Sequence, residues 1–158
     1  MIKTNWNTGS NDSITFSNII EQIKKHTLLK GTVYIGTDSF FIKDDCIFAT
    51  AICLYGADNQ QGGRYFFTKT KLNKTQFPEL SIRMIKEAEN TINLSNTIMD
   101  EVPNAMLELH LDISPQENNE GTSHLAKMLV GYVKGSGYEC KIKPYAFAAA
   151  SIADKHSK

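Results

Sequence analysis

Several things are scarce in this sequence. Cysteine occurs three times in 158 residues, as Cys46, Cys53 and Cys140, and no CxxC pair is present. An odd set without close spacing argues against a disulfide framework or a structural zinc site. It fits reduced core thiols in a cytoplasmic protein. No run of about 18 apolar residues exists, which excludes a membrane-spanning helix. The opening residues, Met1-Ile-Lys-Thr-Asn-Trp-Asn7, lack the apolar stretch of a secretory signal, which agrees with a cytoplasmic location. Net charge is missing too, with 17 Lys and Arg against 17 Asp and Glu. That excludes a protein that coats nucleic acid through bulk basicity, but not one with a locally basic face.

What is present describes one folded domain. Hydrophobic residues make up 41% and charged residues 22%, outside the range of disordered chains. A chain of this length buries enough surface for a core without staples. The charges are segregated. Residues 59–86 carry six bases and one acid, residues 87–120 eight acids and no Lys or Arg, and residues 127–158 six bases and two acids. Two basic stretches flank an acidic one, as expected of carboxylates that meet a polyanion with help from cations.

The pattern of apolar residues sets the order of elements. Residues 1–14 are polar and expected to be loosely held, which leaves 15–158 as a single domain. Ser17 is a plausible N-cap for a helix with Ile19, Ile20 and Ile23 on its apolar face. Three strands follow, at 32–38, 46–55 and 64–71, joined by turns at 40–45 and 56–63. Pro78 suits the first turn of a helix over 78–97. Residues 105–113 alternate strictly, with Leu107, Leu109, Leu111 and Ile113 on one face and Met106, Glu108, His110 and Asp112 on the other. A polar loop at 114–121 leads to a helix over 122–135, a short strand at 138–143 and a last, alanine-rich helix over 146–156. The order is an N-terminal helix followed by β-β-β-α-β-α-β-α. It predicts an α/β fold, a mixed five-stranded sheet with helices on both faces.

Three carboxylates occupy telling places. Asp38 is expected at the carboxyl end of the first strand and Asp112 at that of the fourth, about one strand spacing away if the two strands are adjacent and parallel. Asp154 lies on the last helix, where Ala148, Ala149, Ala150, Ser151 and Ala153 let the helix lie close on the sheet. Clustered aspartates repel one another unless a cation neutralises them. Mg²⁺ or Mn²⁺, bound through oxygen, does so, and a pair of such ions activates water and stabilises the leaving oxygen in phosphodiester hydrolysis. The helix after the three-strand meander offers Glu79, Glu87 and Glu89 as a fourth acid. His110 and His156 lie near Asp112 and Asp154, and can assist or simply pack. Tyr65, Phe66 and Phe67 suit packing better than base stacking.

These features carry a resemblance. Ile35-Gly-Thr-Asp-Ser39, His110-Leu-Asp-Ile113, the segment Gly131 to Gly137 and the tail from Lys143-Pro-Tyr-Ala-Phe to Ala153-Asp-Lys-His156 resemble the ribonuclease H-like superfamily. Within it, they are most similar to the bacterial YkuK-type family, over about residues 15–158. The resemblance implies a sheet ordered 3-2-1-4-5 with the second strand antiparallel to the rest. It implies acids on strand one, the first crossover helix, strand four and the last helix. Asp38, Asp112 and Asp154 match, and Glu87 is the choice for the helix acid, ahead of Glu79 and Glu89. Phe40 stands where the pattern leads one to expect a polar residue. The implied function is a metal-dependent nuclease that hydrolyses RNA, DNA or a hybrid, with Mg²⁺ or Mn²⁺ held by Asp38, Glu87, Asp112 and Asp154. The alternative is a non-catalytic module of the same fold that binds nucleic acid or protein.

Overall fold

The computed structural model describes residues 5–114 and 120–157. The elements are β1 (Trp6–Thr8), β2 (Ser13–Ile14), α1 (Phe16–Leu28), β3 (Thr32–Ile42), β4 (Asp45–Tyr55), β5 (Arg64–Asn73), α2 (Leu80–Glu101), β6 (Met106–Leu111), α3 (Glu120–Gly135) and β7 (Glu139–Lys141). A final helix closes the chain, π-wound over Ala148–Ala153 and α-helical over α4 (Asp154–Ser157). Among the described residues no helix is long and apolar enough to cross a membrane. Much of the expected loop at 114–121 lies outside them.

The sheet has seven strands in the order β2-β1-β5-β4-β3-β6-β7, not the expected five. The five expected strands are its β5-β4-β3-β6-β7 portion. β4 is antiparallel to β3 and β5, and β3, β6 and β7 run parallel. The two added strands come from the stretch expected to be loose, so the expectation is corrected there. β1 pairs antiparallel with β5 and with β2, so β4 is not alone in its direction. The reason is Trp6, which is 2% exposed, packs on Phe16 and joins the main core. Burying a large aromatic side chain outweighs the polarity of its neighbours.

Tertiary packing also moves several ends. Thr15, not Ser17, caps α1, its hydroxyl accepting from the Asn18 N–H at 3.1 Å, because Phe16 is drawn to Trp6. Glu79 caps α2 and Pro78 precedes it. The helix continues to Glu101 because Ile98 and Val102 extend its stripe into the core. β3 does not stop near Asp38. It pairs with β4 through Ile42, leaving a two-residue turn with Lys43 in the left-handed region at φ 55°.

The sheet is covered on both faces. On one face α1, α2 and α3 pack on large aliphatic side chains, including Ile19, Ile23, Ile35, Ile52, Ile98 and Leu109. On the other the final helix packs on Ala51, Cys53, Tyr34 and Tyr55 through Ala148, Ala153 and Phe147. It lies so close that a Cβ on Gly36 would sit 2.5 Å from the Ala149 nitrogen.

Candidate active site

The geometry starts from the parallel pair β3–β6. Their ladder ends with Thr37 opposite Leu111, and Asp38 and Asp112 are the next residues on each chain. Asp38 is therefore not at the end of its strand, as expected. It lies midway along an eleven-residue strand, at the level where its β6 neighbour leaves the sheet. The far half of β3 is held by β4 alone, which is why the strand runs on. Pleating turns Asp38 toward the face carrying the final helix, the side of Gly36 and Ala149. There Asp154 hydrogen-bonds the Asp38 carboxyl, and the Ser157 hydroxyl donates to Asp38 Oδ2 at 3.2 Å.

The next residue along β3 faces the other way. Ser39 points to α2, where its hydroxyl donates to Glu87 Oε2 at 2.5 Å. Of the three candidate helix acids, only Glu87 reaches the strand carboxylates. Glu79 is the exposed cap of α2, and Glu89 pairs with Lys86 at 3.0 Å. Glu87 is 8% exposed and Asp38 7%. Both line a cleft of about 200 Å³ together with Asp112, Arg83, Met84 and Ser114.

Burial governs the charge state. It pushes the Asp38 carboxyl up to about 7, aided by the hydrogen bond that protonated Asp38 donates to Asp154 and by the charge of Asp112 beside it. It pushes Glu87 up to about 8. The Ser39 hydroxyl opposes this, Asp38 and Asp112 reinforce it, and Arg83 draws it back. Removing several carboxylates from water next to one another favours their protonated forms.

Three cations stand around the site, of which Arg83 lines the cleft itself. Lys143 Nζ stands 3.0 Å from Asp112 Oδ1. The contact lacks hydrogen-bond angles, so that buried oxygen has no hydrogen-bond donor. The Arg83 guanidinium lies over the Phe41 ring, 4.6 Å from its centroid, with Lys74 at 5.0 Å from the same ring.

The histidines pack. His110 is fully buried. Its Nδ1 accepts from the Ala148 N–H at 3.1 Å, which makes Nε2 the donor to Glu108 Oε2 at 2.7 Å. Burial lowers its pKa. His156 stacks on Phe67 at 3.6 Å and bonds the Tyr65 hydroxyl at 2.9 Å. Tyr65 and Phe67 are thus occupied by the final helix, while Phe66 is in the opposite core.

Among the described residues no three His, Cys, Asp or Glu side chains are arranged to hold a metal ion. Glu87 is turned to Ser39, and Asp112 to Lys143. The donor chemistry nevertheless suits a hard divalent cation: the acids offer only oxygen, and one buried Asp112 oxygen lacks a donor.

A family model described as Ribonuclease H-like matches residues 15–158. The chain belongs to that family. No curated protein matches the sequence. In this ribonuclease H-like chain Asp38 lies in β3, Glu87 in α2, Asp112 one residue past β6 and Asp154 in the final helix. Sequence reasoning missed Ser39, Lys143, Arg83 and Ser157 as neighbours of the site. Ser39 could have been found by strand alternation, which sets it on the side of α2. The other three are placed by tertiary packing.

Proposed function

We propose that the protein is a metal-dependent nuclease that hydrolyses nucleic-acid phosphodiester bonds. One observation carries the reading: acids distant in sequence, on β3, α2 and β6, line one partly buried cleft, and Asp154 reaches it from the opposite face. Crowding carboxylates in this way is costly without a cation, and hydrolysis of a polyanion gives the crowding a use. Asp38, Glu87, Asp112 and Asp154 would hold Mg²⁺ or Mn²⁺, which supplies water activation and stabilisation of the leaving oxygen. The chain's own residues do the rest. β3 and β6 set Asp38 and Asp112 side by side. Ser39 fixes the Glu87 carboxyl, and the final helix brings Asp154 onto Asp38. Arg83 and Lys74, supported by Phe41, put positive charge at the rim for substrate phosphates.

The test is a digest of labelled single-stranded RNA, duplex and hybrid substrates with and without Mg²⁺ or Mn²⁺. Asp38→Asn and Asp112→Asn should each lower cleavage at least 100-fold while leaving the circular-dichroism spectrum unchanged. Equal cleavage by wild type and Asp38→Asn would sink the proposal. A second reading, a non-catalytic nucleic-acid-binding module, is favoured by Glu87 and Asp112 being engaged by Ser39 and Lys143. Salt-sensitive binding without cleavage by wild type would select it.

A further inference from the structure

We infer that Lys143 is a resident counter-ion of the carboxylate cleft, an internal cation that an incoming divalent ion must displace from Asp112. This rests on the metal-dependent reading above and goes beyond it, because it makes one lysine the competitor that sets metal affinity. The Lys143 ammonium is 3.0 Å from Asp112 Oδ1. Among the described residues it is the only Lys or Arg in an ion pair with Asp38, Glu87 or Asp112. Its main chain is fixed, since the Lys143 N–H donates to the Ile113 carbonyl at 3.0 Å, one residue beyond Asp112. Its side chain is 47% exposed, whereas that of Asp112 is 17% exposed.

That pairing of properties matters. The backbone tether keeps the base of the Lys143 side chain beside Asp112. Its exposure gives it a route into water without disturbing the core. The buried Asp112 oxygen accepts no hydrogen bond, so the ammonium holds it by charge alone. A lysine is a flexible, strongly hydrated point charge, easily exchanged, unlike the rigid fork of arginine. With cation absent, Lys143 offsets one charge of a crowded acidic cluster. With cation present, the two compete for one oxygen.

The experiment measures Mn²⁺ affinity by isothermal titration on the full chain, for wild type, Lys143→Met and Lys141→Met. Lys141 lies two residues earlier on β7 and loses the same charge without touching Asp112. Lys143→Met should bind Mn²⁺ about tenfold tighter than wild type and melt lower in metal-free buffer. Saturating Mn²⁺ should restore its melting temperature. Lys141→Met should stay within about twofold of wild type. Equal tightening by both variants would overturn the inference, because the general field and not the contact would then set affinity. Unchanged or weaker binding by folded Lys143→Met would also overturn it. If wild type binds Mn²⁺ and cleaves while Lys143→Met binds no tighter, only this inference falls. If neither protein binds Mn²⁺, the metal-dependent reading falls and this inference falls with it.

Discussion

The two faces of the sheet are built to different rules. The face under α1, α2 and α3 is filled with Ile, Leu, Val and Phe, and its contacts span most of the strands. The face under the final helix is made of glycine, alanine, cysteine and a few rings. The first arrangement removes much apolar surface from water and supplies most of the driving force for folding. The second removes less, but it brings a helix backbone almost onto the strands. Bulk gives stability and smallness gives proximity. Proximity is what the acids need, because Asp154 and Ser157 reach Asp38 only across that closely packed face.

The largest test of this contrast is Gly36→Val. Any side chain there meets the Ala149 backbone at 2.5 Å, and a backbone cannot move aside cheaply. The final helix should lift, separating Asp154 from Asp38. Metal-dependent cleavage should fall about 100-fold or more, since misplacement by about 1 Å is enough. Ile98→Ala on the opposite face should do the reverse. It should cost roughly 2–5 kcal/mol in chemical unfolding while leaving cleavage per folded molecule within about twofold. If both variants lose activity in proportion to stability, the division of labour between the faces is wrong.

A smaller effect is read in pH. Asp38 and Glu87 have folded-state pKa values raised to about 7 and about 8 from ordinary values of 3.8 and 4.5. The native state therefore keeps protons that the unfolded chain gives up. The stability these groups contribute is fully present below their ordinary values and is lost as pH rises through about 7 and about 8. In metal-free buffer Glu87→Gln should gain on wild type in melting temperature between about pH 5 and pH 8.5, by several degrees. A constant difference across that range would remove the argument for a protonated Glu87. The smallest expected effect is that of Arg83→Met. Arg83 pulls the Glu87 pKa down, so its loss should raise the ionisation midpoint of Glu87 by a fraction of a unit in carboxyl NMR titrations.

Strands were the most legible part of the fold. The alternation of Leu107, Leu109 and Leu111 with Glu108 and His110 assigns both faces of β6 correctly, because one face meets the apolar core and the other the final helix, so the chemistry of the side chains alternates although both faces are covered. The face of Asp112 follows from the same pattern, whereas Asp38 is expected from the end of a buried strand that in fact runs on to Ile42. The β1–β2 hairpin was hidden because its few paired residues are mostly polar and its anchor is one tryptophan, whose partner Phe16 lies beyond the hairpin. The far half of β3 was hidden because Phe40-Phe41-Ile42-Lys43-Asp44-Asp45 resembles a turn until β4 is known to lie opposite. The resemblance prefers Glu87 to Glu79 and Glu89, but the reason it alone faces the strand acids is the angular position of α2 on the sheet. Sequence spacing gives only which residues share a helix face, not where that face is aimed.

The π-wound stretch Ala148–Ala153 also makes the position of Asp154 depend on how the helix is wound. Each residue of an ordinary helix advances about 100° around the axis, and the wider i→i+5 winding takes up residues that an α-helix would place elsewhere. Winding the same six residues as an α-helix would swing Asp154 around the axis by about 100°, away from Asp38, without altering a single functional side chain. Through this segment, winding matters as much as identity. The β4–β5 connection, whose turn includes Gly56 and Gly62 in the left-handed region with open space around each, can lengthen or shorten with no such penalty. Variation among descendants of this chain should therefore put insertions there.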